Sequence, residues 1–223
     1  MGRDNQPKER QRKGLERKRE HGRAPCDRIL IVSEGRKTEP QYFDEIRRWF
    51  RLPVRNVTAL ASELGTNPVQ VVQYAKTLFE HGDLKKNIEP RSFERVFAVF
   101  DRDEHGGYFD ALCQAKALDL KLKNDEKRRI HFKAISSVPC FELWLLLHYE
   151  DIRVPIERDE AIRRLKQHIP GYTKGMNNVF ATTHCYLETA IRRAEALTNH
   201  FNACTGPFTH VAELVRLLTE LRS

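Results

Sequence analysis

Two apolar runs of this chain stop at acid. Ile29-Leu30-Ile31-Val32 ends in Ser33-Glu34-Gly35, and Arg95-Val96-Phe97-Ala98-Val99-Phe100 ends in Asp101-Arg102-Asp103-Glu104. Residues two apart in extended chain project to the same side at a separation of roughly 6 to 7 Å, so Asp101 and Asp103 can converge. A carboxylate cluster without His or Cys selects a hard, oxygen-seeking ion, Mg²⁺ or Mn²⁺, which keeps several waters and takes substrate phosphate as a further ligand. That is the chemistry of phosphoryl transfer. Repulsion among three clustered carboxylates raises their pKa values, so a cation or a basic neighbour is required. Arg36, Lys37 and Arg102 stand next to the acids in sequence. Acids just after strands also serve as turn formers and helix caps, and a D-x-D pair alone says little. Two buried strands that both deliver carboxylates to one sheet edge say more.

Such a meeting requires strands that run the same way. Ile29 to Val32 and Arg95 to Phe100 are continuous apolar runs, the pattern of strands buried on both faces. Val54 to Leu60 reads as a weaker second strand and Ile130 to Ile135 as a fourth. Helical patterns separate them. Thr38 with Gln41 reads as a capping box, Pro40 suits a first turn, and Tyr42, Phe43, Ile46, Trp49 and Phe50 recur at helical spacing. Asn67 or Pro68 opens a helix with Val71, Val72, Ala75, Leu78 and Phe79 on one side, ending at Gly82. A third helix runs through Ala111, Leu112, Ala115 and Leu118. Alternating strands and helices predict right-handed crossovers, a mostly parallel sheet and helices on both faces. After Pro139 the pattern is helical: Phe141 to Tyr149, Glu157 to about Ile169, a loop over 170–175, Thr183 to about Phe201, and Val211 to Leu221. The organisation is therefore a basic arm over 1–25, an α/β core over 26–138 and a helical extension over 139–223 packed on that core.

Composition agrees with an α/β protein of this kind. The chain has 223 residues, 40% hydrophobic and 31% charged, with 11 Gly and 10 Pro, neither collagenous nor wholly disordered. No run of about 18 apolar residues exists and the N-terminus lacks an apolar stretch, which predicts no membrane span, no secretory signal and a cytoplasmic protein. Five cysteines, an odd number with no C-x-x-C pair, argue against a disulfide framework or a structural zinc site, and predict reduced, mostly buried thiols. The net charge is +8, yet residues 1–28 hold ten basic and five acidic side chains, so the remainder carries only +3. The arm has one Leu and no aromatic residue, too little apolar surface to offset the entropy of ordering. A nucleic-acid contact and a solubilising tail read alike there.

Three ordered segments carry a resemblance. Ile29 to Phe43 (ILIVSEGRKTEPQYF), Val99 to His105 (VFDRDEH) and Ser137 to His148 (SVPCFELWLLLH) resemble the RloB family, marked by EG-x-x-TE-x-x-YF, F-D-x-D and F-E-x-W-x-x-x-H. The likeness runs from about residue 28 to the C-terminus. It implies a Toprim-like α/β fold, the compact domain of topoisomerases, primases and OLD-type nucleases. By that resemblance Glu34 is the general acid or base, and Asp101 and Asp103 hold the metal. No tyrosine-bearing topoisomerase domain or primase zinc finger is identifiable, so the resemblance favours a nuclease. It further implies an anti-phage or restriction setting, DNA or RNA (transfer RNA included) as substrate, an ABC-type ATPase as partner, and room for a homo-oligomer. The rival is a non-catalytic subunit that binds such an ATPase, or nucleic acid through the basic arm. A hydrolase acting on small nucleotides is a third reading.

Glu142 adds a carboxylate in the first turn after Pro139, where it reads equally as a dipole-matched acid and as a fourth metal or supporting group. His148 reads as packing or hydrogen bonding, and Trp144 and Phe141 as core. Lys174, between Gly171 and Gly175, can approach a phosphate and stabilise a transition state, though ordinary loop chemistry explains the glycines as well. His105, before Gly106-Gly107, can donate to phosphate from a rim, or sit in a solvated turn. Nothing in the sequence activates Cys140 as a nucleophile.

Overall fold

The computed structural model describes residues 27–102, 106–201 and 206–221. The basic arm, Asp103 and His105 lie outside the described residues. In chain order the elements are β1 (Ile29–Ser33), α1 (Thr38–Trp49), β2 (Val57–Ala61), α2 (Pro68–His81), β3 (Arg95–Asp101), α3 (Tyr108–Leu118), β4 (His131–Val138), α4 (Glu142–Leu146), α5 (Arg158–His168), α6 (Val179–Thr183), α7 (Leu187–His200), β5 (Phe208–Thr209) and α8 (Val211–Glu220).

The described residues form a five-stranded sheet in the order β2-β1-β3-β4-β5. Strands β1 to β4 are parallel, with Ile31 beside Ala59 on one side and Phe97 on the other, while β5 runs antiparallel to β4 through Ser137 and Val138. The chain leaves β1 for β2, then crosses back to β3 on the other side of β1. That reversal separates the loops leaving β1 and β3 and opens a crevice at their carboxyl ends, the place where open α/β sheets take ligands.

The period of two along each strand sorts its side chains between two cores. Leu30, Val32, Val96, Ala98, Phe100 and Phe132 pack with α2 and α3 on one face. Ile29, Ile31, Phe97, Val99 and Ile135 pack on the other face with α1 and with the helices that follow residue 139. Each fully buried side chain of this size contributes about 1.5–3 kcal/mol of transfer free energy. Every residue of β1 is buried, as a strand covered on both faces requires. The mostly parallel α/β sheet with helices on both faces and a helical C-terminal part is thus the architecture that the alternation of runs anticipated. No helix among the described residues is long and apolar enough to cross a membrane.

Several local expectations need correction. Thr38 and Gln41 form no capping box: the residue preceding the helix is Lys37, without a side-chain cap. Thr38 is already inside the first turn, and its hydroxyl accepts the Gly175 N–H at 3.0 Å. Gln41 reaches away from the backbone, donating to the Met176 carbonyl at 3.1 Å and to Asn177 Oδ1 at 2.5 Å. Trp49, counted with the apolar face of α1, is 47% exposed and packs at a tilt against His184, ring centroids 4.3 Å apart. The helix read from Thr183 begins instead at Val179 and reaches His200 in pieces, broken by a 3₁₀ turn over His184–Tyr186. Of the three described cysteines only Cys140 is buried; Cys113 and Cys185 are exposed, Cys113 because the core face of α3 is carried by Ala111 and Ala115.

Candidate active site

Glu34 and Asp101, 67 residues apart in sequence, meet at the switch-point crevice. Glu34 is the first residue past β1 and Asp101 the last of β3. The Asp101 N–H donates to Glu34 Oε2 at 3.0 Å, and the Glu34 N–H donates to the Val99 carbonyl at 2.8 Å. Parallel pairing of β1 with β3 fixes this meeting, since Ser33 lies beside Val99 in the register and one further residue on β1 and two on β3 bring Glu34 and Asp101 to the same edge.

The cleft here measures about 300 Å³, and it is lined by Glu34, Arg36, Lys37, Glu39, Asp101, Glu142, Arg158 and Lys174, among others. Most of the expected site residues that are described therefore gather in it. Arg36 and Lys37 are exposed at its mouth. Arg102 is not among its lining residues; its guanidinium lies over the rings of Tyr108 and Phe109, at 6.0 and 5.7 Å from their centroids. Glu142 is 2% exposed, accepts the Tyr172 hydroxyl at 3.3 Å and stands 4.0 Å from Lys174 Nζ. Its carboxylate thus enters the cleft rather than only matching the helix dipole.

Two charged lining residues escaped the sequence reading. Glu39 sits in the first turn of α1 and is 6% exposed. A Cβ on Gly35 would fall 1.9 Å from Glu39 Oε2, so the glycine after Glu34 leaves the room that this carboxylate occupies. Arg158, at the start of α5, reaches across to Asp101 Oδ2 at 3.4 Å. The signal for Glu39 was its place in the T-E-P segment one turn past Gly35; Arg158, inside a run of mixed charge, offered none.

The charges oppose one another in a low-dielectric setting. Burial pushes the Glu39 carboxyl up to about 7, and nearby Glu142 adds to the rise while Lys174 and Arg158 oppose it. Burial, then Glu39, Glu34 and Glu142, hold Asp101 well above the usual carboxylate range, against the pull of Arg158. The Cys140 thiol is pushed well up by burial and then by Glu142 and Asp101, so it stays protonated and a poor nucleophile, in keeping with the sequence reading.

The loop that carries Lys174 is tied to α1 at three levels. Thr38 accepts from Gly175, Gln41 donates to Met176 and Asn177, and the buried Glu45 accepts the N–H groups of Asn178 at 2.6 Å and Phe180 at 2.8 Å. Thr38, Gln41 and Glu45 are spaced three and four apart, one face of a helix. Gly175 has φ +79°, and a Cβ there would lie 2.7 Å from Lys37 Cβ, so glycine is required for this approach. The same helix that follows Glu34 therefore sets the position of Lys174.

Trp144 and Phe141 are core, and His148 is 1% exposed, its Nδ1–H donating to the Trp144 carbonyl at 3.0 Å. Burial pushes the His148 imidazole down to about 4. An imidazole depressed in the fold is neutral there while the unfolded chain takes a proton near its ordinary pKa of about 6.5. Its contribution is complete above that value and is lost as pH falls toward 4, at up to about 1.4 kcal/mol per pH unit. His148→Phe is therefore expected to flatten the fall of the urea midpoint between pH 6.5 and 4; a fall as steep as in the wild type would refute the assignment.

Among the described residues no three His, Cys, Asp or Glu side chains form a group already arranged to hold a metal ion. The donor chemistry nonetheless suits Mg²⁺ or Mn²⁺, which ask a protein for only one or two carboxylates and fill their shell with water and substrate phosphate. Asp101 with Glu34 or Glu142 offers that number from oxygen donors alone, in a cleft where the Asp101 and Glu39 carboxyls are held above their usual range and would be relieved by a cation.

A family model described as RloB-like protein matches residues 29–218. No curated protein and no solved structure matches the chain.

Proposed function

The chain belongs to the RloB-like family, and on that premise we propose that it is a Toprim-type, Mg²⁺- or Mn²⁺-dependent endonuclease that hydrolyses phosphodiester bonds of nucleic acid. The same reading gives it a cytoplasmic place in an anti-phage or restriction system, with an ABC-type ATPase as partner. One observation carries the proposal: Glu34 Oε2 and the Asp101 backbone are 3.0 Å apart at the switch point of a parallel sheet, inside a cleft of mixed acid and base.

Asp101, with Glu34 or Glu142, would hold the divalent ion, which when bound supplies charge neutralisation on the phosphate and a more acidic water. Glu34 would take the proton of the attacking water, one of its oxygens being fixed by the Asp101 N–H so that the carboxylate is oriented in advance. Lys174 and Arg158 would balance charge that grows on the phosphate oxygens. Arg36 and Lys37, exposed at the mouth, would hold flanking phosphates.

The test incubates the full chain, alone and with its ATPase partner, with labelled transfer RNA, messenger RNA and plasmid DNA in Mg²⁺ or Mn²⁺. Cleavage that stops in EDTA and falls roughly 10²- to 10⁴-fold in Glu34→Gln is the expected result, the range for loss of a general base. Cleavage unchanged by Glu34→Gln would remove this cleft as the catalyst. Binding that ignores chelator and every cleft substitution, with no cleavage of any substrate, would favour the regulatory subunit instead.

A further inference from the structure

A second cleft, about 550 Å³ against about 300 Å³ for the carboxylate site, opens between the turn that follows α4 and helix α7, and no residue lines both. Its volume falls within the range of about 300–1,000 Å³ typical of small-ligand sites. Its lining divides into two halves of different character. Ile152 and Leu197, 2% and 4% exposed, join Phe201 in an apolar and partly aromatic floor. Arg153, Arg192 and Arg193 supply three guanidinium groups against the single carboxylate of Asp151.

Arg193 is partly buried and anchored on the backbone, while Arg153 and Arg192 are exposed and bonded to near neighbours in sequence. Arg193 donates to the Leu147 carbonyl at 2.8 Å, Arg153 to Asp151 at 2.8 Å, and Arg192 to the Thr189 hydroxyl at 3.4 Å. A guanidinium has five N–H donors, so these contacts leave donors for a ligand. Clustered arginines favour phosphate, whose oxygens their planar fork can bind in pairs. A bare oxyanion has no use for the floor, whereas the flat face of a nucleobase stacks on an aromatic ring.

We propose that this cleft binds a nucleoside phosphate, with the phosphate on Arg153, Arg192 and Arg193 and the base against Phe201 and Leu197. The site is separate from the carboxylate cleft and its occupancy does not rest on any cleavage activity. The ligand is either a free nucleotide or a nucleotide of a strand.

Equilibrium dialysis of the full chain in EDTA against radiolabelled adenosine and guanosine 5′-monophosphates, a 5′-phosphorylated trinucleotide and inorganic phosphate tests it. Saturable nucleotide binding is expected, with inorganic phosphate weaker. The double substitution of the two exposed arginines, Arg153→Ala with Arg192→Ala, should weaken nucleotide binding by about tenfold or more, the scale of lost hydrogen bonds to a charged group. Far-UV circular dichroism checks that this variant is folded. Phe201→Ala should weaken nucleotides but not phosphate, and Asp101→Asn should change neither. Tighter binding of the trinucleotide assigns the site to a strand, and tighter binding of the mononucleotides to a free effector. The proposal fails if no nucleotide binds saturably, if inorganic phosphate binds as well as nucleotide, if the double variant binds as the wild type does, or if Asp101→Asn abolishes binding.

Discussion

Asp101→Asn is expected to lower metal-dependent cleavage by on the order of 10³-fold and, in the same protein stripped of metal, to make the fold less sensitive to rising pH. The two effects have one cause. Asp101 is 8% exposed, and burial followed by Glu39, Glu34 and Glu142 holds its carboxyl well above the usual range. An acid raised in the fold keeps its proton longer there than in the unfolded chain, so its favourable contribution is present below its unfolded pKa and is lost as pH rises through the folded value. Metal-free wild type should therefore lose stability as pH climbs out of the ordinary carboxylate range, and Asp101→Asn should lose less. A divalent ion relieves the same repulsion, so Mn²⁺ should raise the unfolding temperature of the wild type and barely move that of the variant. Thermal unfolding in EDTA and in Mn²⁺, beside the cleavage assay, reads both halves. If Asp101 served only as the structural partner of Arg158, at 3.4 Å, the variant would be less stable than wild type in EDTA and would cleave, if at all, at the wild-type rate.

The strands that position this site were legible because they are buried on both faces, which turns sequence into unbroken apolar runs with a defined end. Glu34 and Asp101 follow from those ends, and the parallel register does the rest. Lys174 was visible through its flanking glycines, one of which proves obligatory beside Lys37. Glu39 was hidden because an acid in the first turn of a helix is what the helix dipole favours anyway, and its burial depends on Gly35 having no side chain. Arg158 was hidden because Glu157-Arg158-Asp159-Glu160 reads as a solvated helix start, and only tertiary packing of α5 brings the guanidinium to Asp101. The capping-box reading of Thr38 and Gln41 failed for a related reason: loop 174–178 supplies stronger partners than the helix terminus does. Strand β5, two residues long, is too short to leave any period in the sequence.

Trp144→Ala should carry the largest stability cost of any single substitution considered, about 3–5 kcal/mol, the usual cost of truncating a buried aromatic side chain. Trp144 is fully buried, donates its indole N–H to the Tyr42 hydroxyl at 2.8 Å and packs edge-on against His148 at 4.9 Å. Its helix, α4, has five residues, far below the length at which a helix stands alone, so tertiary anchoring must hold it in place. With a total folding free energy of about 5–15 kcal/mol for a domain, such a loss consumes a large share. Trp144→Phe keeps an aromatic ring and loses the donor, and should cost about 1–2 kcal/mol. Glu142 lies on the same short helix, two residues before the tryptophan, so Trp144→Ala should also loosen the pairing of Glu142 with Lys174 and reduce cleavage. The two routes separate by urea titration: Glu142→Gln should reduce cleavage with a small shift of midpoint, and Trp144→Ala should reduce it with a large one. An unfolding free energy for Trp144→Ala within about 1 kcal/mol of wild type would mean that the pocket between α1 and α4 collapses around the loss, and that the sheet face holds α4 without it.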